Sequence, residues 1–173
     1  MYQIGDWIFY GNIGACQVRE VSRRVIPGMD GEHWYYTLMP LDDTCSISAP
    51  ANSGKIFMRP LISRAEAEAL IDRIPHIQAE AYYNSVLRQL SEHYEQELNT
   101  HDCLHLIEMT MSIHRKREEV LQQKRKLGAV DEKFMKRAEN LLFGELAVAL
   151  GIGRSQVPAY IEARLQRLDK MEA

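Results

Sequence analysis

The sequence has little cysteine and no long hydrophobic run. Its 173 residues include three cysteines, Cys16, Cys45 and Cys103, which are too few and too scattered for a disulfide framework. No apolar stretch approaches the roughly 18 residues that a membrane-spanning helix requires. Residues 1–10 also lack the basic start and apolar core of a secretory signal. We therefore expect a reducing cytoplasmic location and no membrane partner.

Motifs for catalysis and cofactor binding are missing as well. The chain contains no GxSxG turn, no P-loop and no GxGxxG pattern. His101 and His105 are spaced to share a helix face, but a structural zinc site needs about four ligands and no second pair exists. The adjacent carboxylates Glu118 and Glu119 stand among basic residues, as on a solvated helix face. We expect no enzymatic activity, metal, cofactor or small-molecule substrate.

Charge is unevenly distributed along the chain. The net charge of −3 argues against a protein whose whole surface binds nucleic acid. Residues 65–110 contain two basic and nine acidic side chains, whereas residues 111–143 contain nine basic and five acidic ones. Because the field near a surface follows local charge, the second block could still face phosphate groups.

The first sixty residues have the pattern of short strands and turns. Apolar and aromatic runs at 7–10, 15–26, 33–38 and 44–49 are separated by Gly, Pro, Asn and Asp. This spacing predicts a small β-barrel over residues 1–60. In the last run, serines alternate with apolar residues, as expected for an edge strand with one wet face.

Residues 63–173 have the pattern of a helical bundle. Apolar residues recur at helical spacing, and breaks in the pattern predict about five helices. Ser63 begins a capping-box pattern, Asp131 and Ser155 are expected to be N-caps, and Gly151 is expected at a helix C-terminus. The predicted class is therefore α+β, a small barrel followed by an all-helical bundle.

Basic residues concentrate in the second half of this bundle. Residues 115–117 and 124–126 are predicted to lie on one helix, and Lys133, Lys136 and Arg137 to begin the next. A solvated helix face and a contact with DNA phosphates both account for such runs. No recognition-helix pattern is present, so the sequence does not support base-specific reading.

Three segments together resemble a known family. The opening GDWIFY at 5–10 and GACQV at 14–18, Pro50 after the short strand, and AENLLFGELA at 138–147 are similar to the CarD/CdnL-type bacterial transcription regulators. The opening also occurs in the polymerase-interacting domain of transcription-repair coupling factor. The resemblance covers about residues 2–150.

The resemblance implies a function in transcription initiation. It implies a Tudor-like (SH3-like) barrel that docks on the β subunit of RNA polymerase by strand pairing. A helical domain then touches promoter DNA and modulates open-complex stability. Arg24 falls where the family has a basic contact residue, and Ser48 where some members have a second arginine. The implied polymerase-binding residues are Arg24, Cys45, Ser46, Ile47, Ser48 and Ala49.

One departure from the family concerns DNA. Well-studied members insert a tryptophan of the helical domain into the minor groove, whereas Trp7 and Trp34 both lie in the predicted barrel. Leu87 or Leu90 could replace that wedge, although the helix core is the more ordinary role for either of them. The DNA-contact candidates are Leu87, Arg88, Leu90, Lys133, Lys136 and Arg137. An alternative is a module that binds polymerase or another protein without touching DNA.

Overall fold

The computed structural model describes residues 1–173, which divide into two compact units, Met1–Ile62 and Ser63–Ala173. The first unit consists of β-strands and the second of helices. The chain is therefore α+β, with a β-unit followed by a helical unit.

The β-unit is a five-stranded antiparallel sheet in the order β4-β3-β2-β1-β5. Its strands are β1 (Trp7–Tyr10), β2 (Gly14–Val25), β3 (Glu32–Pro40), β4 (Ile47–Pro50) and β5 (Met58–Pro60). The fifth strand returns to pair with the first, so β4 and β5 are the two edges. These edges do not pair with each other, so the sheet is open.

One face of the sheet carries the core of the β-unit. Side chains on a strand alternate between faces, and the members of this core follow that period of two. Gly14, with φ of 91°, makes the tight turn between β1 and β2 that a residue with a Cβ atom would strain. The core consists of Ile8, Tyr10, Cys16, Val18, Tyr36, Leu38 and Ala49.

The fourth strand is shorter than the sequence predicted. We expected a strand over residues 44–49, but β4 covers Ile47–Pro50, so Cys45 and Ser46 lie in the preceding loop. The Asp43 carboxylate accepts hydrogen bonds from the backbone N–H groups of Thr44 (2.7 Å) and Cys45 (3.1 Å). These local hydrogen bonds form a turn, so the chain joins the β-sheet only after it.

The helical unit contains five α-helices, as the sequence predicted. They are α1 (Arg64–Arg73), α2 (Leu87–Leu98), α3 (Cys103–Gln122), α4 (Ala129–Leu150) and α5 (Val157–Glu172). Helices α2, α3 and α4 pack together, while α5 packs on α1 and α4. Fully buried side chains of this core include Ile71, Leu98, Leu106, Ile107, Ile113, Leu146 and Leu150.

Two predicted caps are confirmed. Ser63 and Glu66 form a reciprocal capping box at the start of α1. Gly151 ends α4 in the left-handed conformation, with φ of 67°. These caps satisfy backbone groups that a helix terminus would leave unpaired.

Three predictions about helix ends were wrong. The N-cap of α4 is Gly128. Asp131 instead lies in the first turn of the helix, where its side chain is buried in the core. Ser155 lies in a short 3₁₀ turn, and α5 begins after it at Val157. The basic run at 124–126 does not continue α3, because the helix ends at Gln122 and Lys124 adopts a left-handed backbone with φ of 58°.

Candidate functional site

The exposed backbone of β4 is the first candidate site. Ala51 N–H donates to the carbonyl of Trp34 at 2.8 Å, just beyond the last β3–β4 pair, Tyr35 with Pro50. Hydrogen-bonded pairs alternate in an antiparallel ladder, so the pair of Thr37 with Ser48 is a non-hydrogen-bonded one. The N–H and C=O of Ser48 therefore point away from β3, toward the open edge of the sheet.

The other three positions of β4 offer less backbone to an added strand. Ile47 and Ala49 belong to hydrogen-bonded pairs with β3, and their side chains face the core. Pro50 offers the edge a carbonyl but no N–H. An added strand would thus find its principal donor and acceptor at Ser48.

Arg24 lies on the outer face of the sheet beside this edge. Its guanidinium donates to the hydroxyls of Ser48 (2.8 Å), Ser22 (3.2 Å) and Thr37 (3.4 Å), and its Cζ atom lies 5.5 Å from the centre of the Tyr35 ring. The structure therefore brings together Arg24 and Ser48, which are 24 positions apart in the chain. Because hydroxyls are neutral acceptors, an incoming carboxylate would form a stronger bond with the same guanidinium.

The β4 candidates divide into three groups. Ser48 and Arg24 are exposed on the outer face, Ile47 and Ala49 contact the core, and Cys45 and Ser46 are exposed in the loop before the strand. The predicted docking residues thus lie at or beside one edge, and four of the six expose a side chain to a partner.

At the start of α2, the predicted DNA wedge separates into a surface residue and a core residue. Leu87 is the first residue of the helix and is 63% exposed, whereas Leu90 is 3% exposed within the core. Arg88 is also at the surface, but it forms an i,i+4 ion pair with Glu92 at 2.9 Å. Leu87 is therefore the candidate of this pair that a DNA duplex could reach.

The basic residues at the start of α4 are likewise unequal. Lys133 and Lys136 are exposed and have no ion-pair partner within 4.0 Å in the structure. Arg137 is different, since its guanidinium pairs with Glu95 at 2.6 Å and lies over the Phe134 ring at 5.0 Å. Its charge is neutralised by α2, and its position is held by that ion pair and by Phe134 on its own helix.

A buried charge network joins α2, α3 and α4. Lys116 is 6% exposed and donates to Asp131 at 2.9 Å, and the hydroxyl of Tyr94 donates to the same carboxylate oxygen at 2.6 Å. Burial and the hydrogen bond to Asp131 raise the pKa of Tyr94. Sequence reasoning assigned Lys116 to a basic surface run. Its spacing from Ile113 and Val120, three and four residues away, is the signal that places it on the buried face.

The two histidines considered as zinc ligands have other neighbours. His105 lies 3.6 Å from Glu97 and 3.9 Å from Asp102, which caps α3 by accepting from Leu104 N–H. His101 is held in a left-handed backbone conformation before that helix. No group of three or more His, Cys, Asp or Glu side chains in the structure is arranged to hold a metal ion.

Comparison of the chain with models of known protein families finds no match, and a search of characterised proteins finds no significant relative. None of the helices combines the length and the apolar character needed to cross a membrane.

Proposed function

We propose that this protein is a non-enzymatic regulator of transcription initiation of the CarD/CdnL type. Its β-unit would dock on the β subunit of bacterial RNA polymerase, and its helical unit would modulate the stability of the promoter open complex. The observation that carries the proposal is the unpaired edge of β4, where the outward backbone of Ser48 adjoins the guanidinium of Arg24.

Two of the three segments that resemble the family contribute residues to the strands of the β-unit. Residues 7–10 form β1, residues 14–18 begin β2, and Pro50 ends β4. We further propose that this open sheet has the strand arrangement of a Tudor-like, SH3-like barrel. The pairing of β5 with β1 supports that arrangement, because it places the first and last strands of the β-unit side by side.

Docking would proceed by addition of a polymerase strand to β4. Main-chain hydrogen bonds supply affinity in this mode, and neighbouring side chains supply specificity. Ser48 would exchange one N–H and one C=O with the incoming strand. Arg24 would bond an acidic side chain or a carbonyl of the partner in place of the three hydroxyls that it now contacts.

The matched pair Ser48→Pro and Ser48→Ala tests this mode in the full-length protein. Proline removes the outward N–H without removing a hydrogen bond to β3, since that N–H faces the edge. Alanine removes the hydroxyl and keeps the N–H. We expect Ser48→Pro to lower affinity for purified bacterial RNA polymerase at least about tenfold, as the loss of a principal interface hydrogen bond predicts. We expect Ser48→Ala to change it far less.

Two controls complete the experiment. Circular dichroism and thermal unfolding must show that both variants fold like the wild type. Ile47→Pro is the contrasting variant, because it would break an internal ladder bond and unfold the edge itself. Polymerase binding that survives Ser48→Pro in a folded protein would contradict docking through β4.

Once docked, the helical unit would act on DNA by proximity. Tethering raises its local concentration at the promoter, so that a weak contact suffices. The exposed candidates for that contact that form no ion pair are Leu87, Lys133 and Lys136. Contacts to phosphate carry no sequence information, so the effect would be general rather than promoter-specific.

A second function is favoured by the ion pairs of α2. Glu92 and Glu95 neutralise Arg88 and Arg137, two of the basic residues expected to contact DNA. The helical unit would then bind protein alone, and the chain would be a docking module without a DNA contact. Open-complex lifetime on polymerase separates the two functions, because substitution of Lys133 and Lys136 shortens it only if the helices touch DNA.

A further inference from the structure

Helix α5 is attached to the helical unit along one side. Tyr160 donates to Glu68 at 3.0 Å, and Arg164, one turn later, forms a bidentate pair with Asp72 at 2.6 and 2.9 Å. Val157 is fully buried at the start of the helix. These contacts fix the face of α5 that packs against α1 and leave another face outside that contact.

The adjacent face of α5 borders a groove of about 530 Å³. The floor is apolar and half-buried or exposed, and it is formed by Pro75, Pro158, Ile161, Leu165 and Leu168. Residues 158, 161, 165 and 168 recur every three or four positions, which is a stripe along one helix face. Such a stripe fits the apolar face of a second helix laid along it.

Carboxylates surround this floor. Asp72, Glu162, Asp169 and Glu172 line the groove, and no Lys or Arg side chain does. Arg164 neutralises Asp72. The other three carboxylates form no ion pair in the structure, and His76 is the one residue of the lining that can carry positive charge.

The position of two of these carboxylates is unfavourable for the isolated helix. Asp169 and Glu172 lie in the last turn of α5, where the partial negative charge of the helix dipole repels acidic side chains. Lys170 does not offset them at the groove, because it lies two residues from Glu172 and therefore on the opposite side of the helix. A positively charged partner would relieve this repulsion.

We propose that this groove binds a basic amphipathic helix of a partner protein. Apolar side chains of that helix would cover Ile161, Leu165 and Leu168, and its flanking Lys or Arg side chains would pair with Glu162, Asp169 and Glu172. The groove belongs to the helical unit and does not depend on docking through β4.

The charge of the groove argues against other occupants. Nucleic acid and anionic lipid surfaces are repelled by three unpaired carboxylates. A second copy packed face to face on α5 would bring its own Glu162, Asp169 and Glu172 against the same residues, and like charges across an interface are destabilising. A basic helix satisfies both the apolar floor and the acidic rim.

A synthetic peptide of about four helical turns tests the groove, with Leu at i, i+3, i+4 and i+7 and Lys at the flanking positions. The control peptide has the same composition with its leucines distributed around the helix. Binding of labelled peptide to the full-length protein is followed by fluorescence anisotropy at about 0.1 M salt, where surface charge pairs are only partly screened.

Three protein variants locate the binding. Glu162→Lys with Asp169→Lys reverses two exposed charges of the rim. Glu20→Lys with Glu118→Lys makes the same change in net charge at exposed positions outside the groove. Leu165→Ala shortens one apolar side chain of the floor. Circular dichroism confirms the fold of each.

We expect saturable binding of the striped peptide to the wild type and to the Glu20/Glu118 control. The Glu162/Asp169 variant should bind about tenfold more weakly, as the loss of a few surface ion pairs predicts, and Leu165→Ala should also weaken binding. Equal binding of both peptides, or no effect of the rim and floor variants, would overturn the proposal. So would concentration-dependent self-association of the wild type that Leu165→Ala abolishes, because a second copy would then cover the groove.

Discussion

Arg24 on β2 donates a 2.8 Å hydrogen bond to the hydroxyl of Ser48 on β4, two strands that do not pair with each other. The arginine side chain crosses β3 on the outer face of the sheet, over Tyr35 and beside Thr37. A basic group from the middle of the sheet is thereby placed at its open edge. Edge strand and guanidinium form one surface, although the sequence separates them.

The first prediction concerns Arg24→Ala. Its bonds go to exposed hydroxyls, so we expect a change in unfolding free energy within about 0.5 kcal/mol. Affinity for RNA polymerase should fall about tenfold, because a bond between a charged donor and a partner acceptor contributes about 1.5–3 kcal/mol. Biolayer interferometry with purified polymerase measures the affinity, and urea unfolding measures the stability.

The neighbouring Arg23→Ala variant is the matched control. Arg23 follows the alternation of β2 onto the opposite face, where its guanidinium lies over Trp34 at 4.6 Å and pairs with Glu32. It should leave polymerase affinity unchanged. If the two variants lose affinity equally, overall charge rather than the β4 edge determines the binding.

The second prediction concerns the buried pair of Lys116 and Asp131. Lys116→Met leaves the Asp131 carboxylate buried with Tyr94 as its remaining partner in the network. Such a loss costs about 3–5 kcal/mol, whereas replacing both charges by apolar groups is often nearly neutral. We therefore expect Lys116→Met with Asp131→Leu to be more stable than Lys116→Met alone. Urea unfolding of the four proteins in a double-mutant cycle gives the coupling. A cost below about 1 kcal/mol for Lys116→Met would mean that water reaches the carboxylate.

The third prediction is a dependence of stability on pH to which Arg164 contributes. The Tyr160 hydroxyl, followed by Arg64 and Arg164, lowers the pKa of Glu68, and the Arg164 guanidinium lowers the pKa of Asp72. Carboxyls with a pKa below the unfolded value stabilise the fold above about pH 4, and this contribution is lost as the pH falls through the folded value. Wild-type stability should therefore decrease between neutral pH and about pH 3.

Arg164→Met should reduce that decrease, because it removes the guanidinium that lowers the pKa of Asp72 and contributes to lowering that of Glu68. The measurement is the urea midpoint of wild type and variant at pH 7 and pH 3. The difference between the two proteins should be larger at pH 7. An equal difference at both pH values would show that Arg164 stabilises α5 through packing of its aliphatic stem instead.

The fourth prediction concerns DNA. Lys133→Ala with Lys136→Ala should weaken binding to every duplex about equally. It should lower the slope of log affinity against log salt by up to about 0.9 for each phosphate that the variant no longer neutralises. Arg137→Ala should act mainly on stability, since its guanidinium already pairs with Glu95. Fluorescence anisotropy with two unrelated duplexes over a salt series measures these effects. A strong preference for one duplex would contradict binding through phosphates alone.

Local chemistry determined much of the secondary structure. Five helices, the capping box at Ser63 and the left-handed end at Gly151 all follow from side chains within a few positions of where they act. The periods of two and 3.6 also distinguish the β-unit from the helical unit. These features were predictable because each depends on propensity and capping over a short window.

Other features depended on residues that are distant in the chain. Aspartate is a residue type that favours the N-cap position, yet Asp131 lies in the core because Lys116 and Tyr94 bind its carboxylate there. Arg137 was expected to meet phosphate, and it meets Glu95 on another helix. Whether such a residue is exposed or ion-paired depends on which helices pack beside it. A local sequence pattern does not contain that information.

The candidate docking surface shows the same division. The sequence by itself determined that a short strand passes through residue 48. Tertiary structure alone decided that β4 is an edge, that the backbone of Ser48 points outward, and that Arg24 reaches it across β3. The physical reason is that strand order and register are set by long-range pairing and burial of one face, whereas the strand itself is set by local alternation.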